Sequence, residues 1–204
     1  MSTFSTEKQR LRQLLLSRRK ALDTLVRAAA EQAINHQLIT FCQQQAYRHI
    51  GLYVPMKAEV NIEITFAWAR AAGCQLYLPL LTAQGLIYVE NENQKSLQIA
   101  SQQGYPFCGE PALLSCKPAT VPLEVICIPV VGFNQQGYRL GLGQGQFDRL
   151  LSRYALQAKR PYCLGLAFAC QETSELPPDP WDQPLDGLIT ERQQWQWSEH
   201  LKRE

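Results

Sequence analysis

Apolar residues recur along this chain at helical spacing in some segments and as short continuous runs in others. The helical spacing predicts one helix from Thr6 to about Ala30, a second from Glu31 to Gln45 and a third from about Ile62 to Ala72. A fourth helix is predicted from Gln146 onward. The apolar side of the first helix is predicted to consist of Leu11, Leu14, Leu15, Leu22, Leu25, Val26 and Ala29.

Continuous apolar runs bounded by Gly or Pro predict the strands. These runs are His49 to Val54, Gln75 to Pro79, Leu86 to Val89, Val125 to Phe133, Tyr162 to Phe168 and Leu185 to Thr190. Because proline cannot donate a hydrogen bond to a ladder, Pro79 is expected to end its strand. The stretch from Gln94 to Pro122 is repeatedly broken by Pro and Gly, and we expect an irregular segment of this length to help line a site.

Buried strands that alternate with helices predict an α/β fold with three layers, an open and largely parallel sheet flanked by helices. The length is consistent with one domain spanning residues 1–204. Ligands of such sheets bind beyond the carboxyl ends of the strands. Glu59 and a glycine-rich loop both follow predicted strand ends, so we expect them to share one crevice.

The glycine-rich loop lies between the strand that ends near Phe133 and the helix that begins at Gln146, and it has glycines at 137, 141, 143 and 145. Such a loop lets backbone N–H groups approach an anion, and the helix N-terminus adds partial positive charge. Arg139 can grip a phosphate or a carboxylate through two hydrogen bonds, and Asp148 can hold a magnesium ion. The alternative is a surface loop whose glycines only form turns, with Asp148 as an ordinary first-turn acid; the residues alone leave both interpretations open.

Three basic residues of the first predicted helix, Lys8, Arg12 and Arg19, fall within about 40° of each other beside its apolar stripe. They form either a site for a small anionic ligand or a solvated basic edge. Arg18 is predicted to fall inside the apolar sector, which is unusual for a purely structural helix.

The composition limits the function classes. With 46% hydrophobic and 19% charged residues the chain is typical of an ordinary globular protein, and its net charge of +2 argues against general nucleic-acid binding. We find no apolar run long enough for a membrane helix and no signal peptide, so a cytoplasmic protein without membrane contact is expected. Seven Cys without a C-x-x-C pair, and only three His, argue against a zinc site.

The motifs resemble those of the 5-formyltetrahydrofolate cyclo-ligase family, also called methenyltetrahydrofolate synthetases. The family signature Phe-Asp-x-x-Gly-x-Arg-Leu-Gly-x-Gly-x-Gly-Tyr-Tyr-Asp-Arg is similar to residues 133–149. The family's other motifs are matched in order by Lys8, Arg12, Arg18 and Arg19, by Pro55 and Glu59, and by Trp181, Asp182 and Asp186. The similarity therefore extends over nearly the whole chain.

This resemblance implies a cyclo-ligase fold, similar to the sugar-phosphate isomerase and CoA-transferase-like group. It implies a ligase that uses ATP and Mg²⁺ to cyclise 5-formyltetrahydrofolate to 5,10-methenyltetrahydrofolate, with release of ADP and phosphate; we expect a monomer. The implied catalytic residues are Lys8, Arg12 and Arg139, which also bind ATP together with Leu140, Gly141, Leu142, Gly143, Gln144, Gly145, Gln146 and Phe147. The implied folate-binding residues are Val54, Pro55, Glu59 and Gln146, and the implied magnesium ligands are Asp148 and Asp182.

The chain also departs from the family pattern. Gln146 and Phe147 replace a Tyr-Tyr pair, and Trp181 replaces a His. An active cyclo-ligase is therefore one hypothesis, and a nucleotide-binding relative with weak or lost folate turnover is a second. A third is another enzyme on a related α/β fold, such as a sugar-phosphate isomerase that needs no ATP; the basic set at Lys8 and Arg12 argues against it.

Overall fold

The computed structural model describes residues 3–56, 58–90 and 119–197, with side chains described from residue 6 onward. The predicted irregular stretch from 94 to 122 lies outside the described residues up to residue 118. The helices of the described part are α1 (Thr3–Lys20), α2 (Thr24–Gln44), α3 (Glu63–Ala71) and α4 (Gln146–Ala155), with a short 3-10 helix at Ala169–Gln171. The strands are β1 (His49–Gly51), β2 (Gln75–Thr82), β3 (Gly85–Glu90), β4 (Val125–Pro129), β5 (Gly132–Phe133), β6 (Arg139–Leu140), β7 (Tyr162–Leu166), β8 (Gly187–Ile189) and β9 (Gln194–Gln196).

One seven-stranded sheet, in the order β3-β2-β1-β4-β7-β8-β9, organises the fold, and β5 pairs with β6 in a separate hairpin. Neighbouring strands from β2 to β8 are parallel, whereas β3 and β9 pair antiparallel at the two edges. This arrangement confirms the predicted α/β fold with a largely parallel sheet. The described helices are too short or too polar to cross a bilayer.

Apolar clusters cover both faces of the sheet. Val125 and Cys127 of β4 belong to the cluster that contains residues of α2 and α3, whereas Ile126 and Ile128 belong to the cluster with Leu150 of α4. Successive side chains of a strand point to opposite faces, so a strand covered on both sides needs apolar residues throughout. The continuous apolar run at β4 therefore correctly predicted a strand buried on both faces.

Helix α1 lies against the end of β4. Leu11 and Leu15 pack with Val131, Leu140 and Leu176 in a third apolar cluster. A Cβ at Gly132 would lie 2.3 Å from Cδ1 of Leu15, so a larger residue here would force the Leu15 side chain to shift. The packing holds α1 beside the glycine-rich loop, and so determines where the basic residues of α1 lie.

The predicted boundary between the first two helices is wrong. Helix α1 ends at Lys20, and Asp23 caps α2 by accepting hydrogen bonds from the N–H of Leu25 at 2.8 Å and of Val26 at 3.4 Å. Aspartate is a preferred N-cap residue, and this signal was missed within the apolar stripe. The break changes the helical phase, so Leu25 and Val26 are exposed rather than buried.

The inward face of α1 also differs from the prediction. Lys8, Leu11, Leu15 and Arg19 are all buried, whereas Arg18 is exposed. These four buried residues follow helical spacing and form one stripe. Two of the three basic residues predicted to border the apolar stripe, Lys8 and Arg19, therefore lie within it, while Arg12 is half-buried beside it; Arg18, predicted to lie inside the stripe, lies outside it.

The prediction that Pro79 ends its strand is wrong as well. Strand β2 continues to Thr82, and Pro79 pairs with Tyr88 of β3. The carbonyl of Tyr77 faces β1, where it accepts from the N–H of Leu52 at 2.8 Å. Backbone groups alternate along a strand, so the nitrogen of Pro79 also faces the β1 side, beyond the point where β1 has ended. The N–H that Pro79 lacks would therefore have no carbonyl of β1 to bond, and the sheet loses no hydrogen bond at this position.

Candidate active site

The predicted site residues converge on a cavity of about 440 Å³ at the end of the sheet where β4 meets the glycine-rich loop. It is lined by Lys8, Arg12, Glu59, Arg139, residues 140–147, Asp148 and Asp182. These residues come from α1, from the segment after β1, from the loop and α4, and from the segment before β8. Glu59 and the loop thus share one crevice, as expected from their positions after strand ends.

Two predicted residues do not line this cavity. Val54 packs in the apolar cluster of α2 and α3, and Met56 rather than Val54 or Pro55 contributes to the lining. The strand β1 ends at Gly51, so the residues that follow it first pass through the core. The lining also includes Asp179 and Trp181, which were not assigned a role from the sequence. Asp179 lies three positions before Asp182, and that repetition of acids was the available signal.

Lys8 is held by two carboxylates. Its Nζ donates to Oδ2 of Asp179 at 2.7 Å and to Oδ2 of Asp182 at 2.6 Å. The N–H of Asp179 also donates to Oδ2 of Asp182 at 2.8 Å. Burial acts to lower the pKa of Lys8, but its hydrogen bonds to Asp179 and Asp182, together with the negative charges of these carboxylates, outweigh burial and raise that pKa. Lys8 is therefore a firmly protonated ammonium at the cavity wall.

The side chain of Arg12, on α1, contacts the glycine-rich loop. Its Nε donates to the carbonyl of Gly141 at 2.8 Å, and its guanidinium packs on the backbone of Gly143. A Cβ at Gly143 would lie 3.2 Å from Cζ of Arg12, and φ of Gly143 is +94°. Both facts favour glycine at this position. A side chain would press on the guanidinium of Arg12, and residues with a Cβ rarely adopt this φ.

We predict that Gly143→Ala reduces the free energy of unfolding by about 1–2 kcal/mol, because alanine is strained at this φ. It should also raise KM for ATP by displacing Arg12. Gly73→Ala is the matched control: its φ is +71°, an added Cβ there meets no atom within 4 Å, and it does not line the cavity. Urea unfolding and initial rates against ATP concentration measure both effects; an equal rise of KM for ATP in the two variants would contradict the proposed contact.

Arg139 and Asp148 form a second ion pair. Nη2 of Arg139 donates to Oδ1 of Asp148 at 2.7 Å, and Nη1 donates to the carbonyl of Gln183 at 2.6 Å. The N–H of Gln183 also points to Oδ1 of Asp148, at 3.4 Å. Asp148 is therefore tied to the residue that follows Asp182, which brings the two predicted magnesium ligands into one neighbourhood.

Two cations of this cavity are paired with carboxylates in its lining. Lys8 pairs with Asp182, and Arg139 pairs with Asp148. A phosphorylated ligand can take over the cations, and a divalent cation can take over the carboxylates. Two carboxylates suit Mg²⁺, which keeps several waters, although no group of three or more potential metal-binding side chains occurs in the described part of the chain. The residues present therefore fit a magnesium ion that is shared with phosphates.

Glu59 lies in the same cavity away from these ion pairs. Its residue is 7% exposed, and Oε2 accepts from the N–H of Met56 at 2.9 Å. Burial raises the pKa of Glu59, opposed by the N–H of Met56 and by the charge of Arg19. A buried carboxylate of this kind gains most from a ligand that donates N–H groups to it.

Apolar and amide groups complete the lining. Trp181 and Leu142 are exposed, at 66% and 50%, although both contribute to the cavity. Oε1 of Gln146 is buried and accepts no hydrogen bond from the described residues. The cavity thus combines a charged region with surfaces suited to flat rings and with an acceptor that lacks a donor.

The fold and this cavity are those of an α/β enzyme whose candidate site lies at a glycine-rich loop and a helix N-terminus, beyond the carboxyl ends of parallel strands. More specifically, the chain belongs to the 5-formyltetrahydrofolate cyclo-ligase family, whose model matches residues 4–191. The predicted family, fold class and enzyme class are thereby confirmed, which places the chain among the ligases of folate one-carbon metabolism.

Similar proteins agree over most of their lengths. The 5-formyltetrahydrofolate cyclo-ligase of Mycoplasma pneumoniae is 29% identical over 188 residues, covering 91% of this chain and 99% of the relative. That of Escherichia coli K12 is 26% identical over 189 residues, covering 90% and 100%. A solved 5,10-methenyltetrahydrofolate synthetase from Mycoplasma pneumoniae has a TM-score of 0.69 at 27% identity, covering 90% of this chain and 98% of its own. The Aquifex aeolicus synthetase has a TM-score of 0.71 at 26% identity, covering 97% and 94%.

Proposed function

We propose that this chain uses ATP and Mg²⁺ to cyclise 5-formyltetrahydrofolate to 5,10-methenyltetrahydrofolate, releasing ADP and phosphate. The observation that carries the proposal is the convergence of Lys8, Arg12, Arg139 and the glycine-rich loop with Glu59 in one cavity. One part of this cavity suits phosphates and another suits a ring with N–H donors. The reaction requires both ligands side by side.

The chemistry explains why cations are needed more than a nucleophilic side chain. The formyl group is amide-like and a poor electrophile, so its oxygen first takes the γ-phosphoryl group of ATP while the bond to ADP breaks. N10 of the folate then attacks the formyl carbon, loses its proton and forms the new C–N bond as phosphate leaves. Positioning and charge neutralisation supply most of the catalysis of such a phosphoryl transfer.

The cations of the cavity would bind the phosphates. Lys8 and Arg12 belong to α1, whereas Arg139 and residues 140–147 belong to β6, the glycine-rich loop and the start of α4. Arg12 already contacts the carbonyl of Gly141, so it and the loop would close on a phosphate together. Asp148 and Asp182 would hold the magnesium ion, which when bound neutralises phosphate charge during transfer.

Glu59 and Gln146 would bind the pterin ring. The ionised Glu59 carboxylate accepts N–H donors, and Oε1 of Gln146 offers an acceptor that is not used within the described residues. Folate turnover that is weaker than in relatives with the Tyr-Tyr pair is a second candidate function, favoured by Gln146, Phe147 and Trp181.

The monomeric state and the cytoplasmic location stay predictions. Light scattering of the purified protein tests the first, and cell fractionation tests the second.

We predict that Glu59→Gln raises KM for 5-formyltetrahydrofolate by about 10- to 100-fold, the usual effect of losing hydrogen bonds to a charged partner. KM for ATP should stay unchanged. Because burial raises the pKa of Glu59, the wild-type KM for folate should rise as pH falls through that pKa, whereas Glu59→Gln should lose this part of the pH dependence.

The matched control for Glu59→Gln is Glu63→Gln, since Glu63 is exposed in the first turn of α3. Initial rates against folate concentration from acid to alkaline pH, at saturating ATP, give both KM and its pH dependence. An unchanged folate KM in Glu59→Gln would show that the pterin ring binds elsewhere. Release of ADP that requires added 5-formyltetrahydrofolate tests the reaction itself.

A further inference from the structure

Arg19 is a buried charge whose role the ATP site does not explain. It lies at the carboxyl end of α1 on the same inward stripe as Lys8, and its residue is 4% exposed. The neighbouring Arg18 is exposed. Burial of a guanidinium costs several kcal/mol unless good partners compensate for the lost water.

The hydrogen bonds of Arg19 give little compensation. Nη1 donates to the carbonyl of Val130 at 3.5 Å, which is long for a hydrogen bond. Nε is buried and has no hydrogen-bond partner among the described residues. Both neighbours of Val130, Pro129 and Val131, line the cavity. Arg19 is therefore placed directly behind the cavity wall as a charge without strong local bonds.

Glu59 is the carboxylate that balances this charge. Among the charges that act on Arg19, the attraction of Glu59 is the largest, and Arg19 acts in return to lower the pKa of Glu59. Their interaction is an electrostatic attraction without a direct hydrogen bond between the two side chains, and such attractions are stronger where water is excluded. The remaining titratable groups around the pair are Tyr53, Arg27, Glu31, Cys127 and Cys170.

The other charges near this pair are engaged elsewhere. Arg27 donates to the carbonyls of Arg19 and Ala58, and its guanidinium lies 5.0 Å from the ring centre of Phe168. Oε1 of Glu31 accepts from the N–H of Asn61 at 3.2 Å. Arg27 thus ties the carbonyl of Arg19 to that of Ala58, the residue before Glu59, and so holds Arg19 and Glu59 in one neighbourhood.

The backbone next to Glu59 is constrained as well. Ala58 has φ of +68°, a conformation that costs a non-glycine residue about 1–2 kcal/mol. The carbonyl of Ala58 accepts from Arg27 at 3.1 Å, and the N–H of Glu59 donates to the carbonyl of Met56 at 2.9 Å. Strained backbone that the surroundings hold in place is typical of functional sites.

We propose that Arg19 is a positioning residue, whose buried guanidinium stabilises the charged carboxylate of Glu59 for binding the N–H donors of the folate pterin ring. The inference rests on the role proposed above for Glu59. Arg19 does not touch the ligand; it acts through Glu59. Removing its charge should weaken folate binding only where Glu59 can take up a proton.

Arg19→Met tests this proposal, because methionine fits an apolar environment without a charge. Its KM for 5-formyltetrahydrofolate should begin to rise at a higher pH than the wild-type KM does, so that KM at the acid end is several-fold higher, on the order of tenfold. The two profiles should converge at alkaline pH, and KM for ATP should not change. Arg19→Lys, which keeps the charge, should retain the wild-type profile, and Arg18→Met is the matched control.

A purely structural role for Arg19 predicts other results. A folate KM raised equally at every pH, or a profile shifted equally by Arg18→Met, would overturn the proposal. So would a further shift of the profile by Arg19→Met in an enzyme that already carries Glu59→Gln. If Arg19→Met does not fold, Arg19→Lys decides, since a shifted profile in that variant contradicts the role of the charge. Absence of turnover in the wild type would instead reject the proposed function.

Discussion

Lys8→Met is expected to lower kcat/KM for ATP by about 100- to 1000-fold, the usual loss when one group that stabilises transferring charge is removed. Lys8 is 8% exposed and bridges Asp179 and Asp182. Without its ammonium the two carboxylates remain at the cavity wall and repel an anionic nucleotide. The loss should appear in initial rates measured against ATP concentration at saturating folate.

Lys20→Met is the matched control for Lys8→Met, because Lys20 is exposed on the same helix. Lys8→Arg should recover part of the activity, since it restores the charge in a different shape. Circular dichroism should show that the helix content of each variant is unchanged. An unchanged kcat/KM for ATP in Lys8→Met would remove this residue from the nucleotide site.

Asp148→Asn is expected to lower turnover by about 100-fold or more and to raise the magnesium concentration that gives half-maximal activity. Asparagine keeps the shape of the side chain and an oxygen that can accept from Arg139, so the fold should persist. What it lacks is the negative charge. Turnover is measured over a magnesium titration at fixed ATP.

The control for this variant is Asp23→Asn, since asparagine caps a helix about as well as aspartate does. If Asp148→Asn lost activity with no change in its magnesium dependence, Asp148 would act by orienting Arg139 instead of holding the metal. Wild-type activity and wild-type magnesium dependence together would contradict a role for Asp148 in the site.

The sequence predicted the sheet well because its strands are covered on both faces and are continuously apolar, as β4 shows. Errors arose where a local rule depended on tertiary context. Pro79 remains within β2 because its nitrogen faces the side beyond the end of β1. The break at Asp23 was hidden because apolar residues continue on both sides of it. Neither effect follows from hydrophobic periodicity alone.

The candidate site shows the same division. The glycine-rich loop and Lys8 could be found from the sequence, because they belong to spaced motifs whose residues line the cavity in the folded chain. The burial of Arg19 could not, since it depends on the phase and the end of α1. The pairing of Asp179 with Lys8 also could not, because only the folded chain brings the two together, although the position of Asp179 three residues before Asp182 marked it as a candidate. Residues that act through such long-range contacts require the structure.

The departures at Gln146 and Phe147 concern the strength of folate turnover more than the nature of the reaction. They lie at the start of α4, where Gln146 and Phe147 both line the cavity. If the pterin ring supplies a donor to Gln146, the amide replaces a hydroxyl as its acceptor. If it does not, KM for folate should exceed that of relatives with the Tyr-Tyr pair while KM for ATP does not.

The most direct test of the proposed function follows both products of one reaction. Purified protein is mixed with 5-formyltetrahydrofolate, ATP and Mg²⁺, and the absorbance of methenyltetrahydrofolate and the release of ADP are recorded together. The account predicts that both products form in equal amounts, and that neither forms when folate, ATP or Mg²⁺ is omitted. Measurable binding of ATP without methenyltetrahydrofolate formation, or ADP release independent of folate, would contradict it.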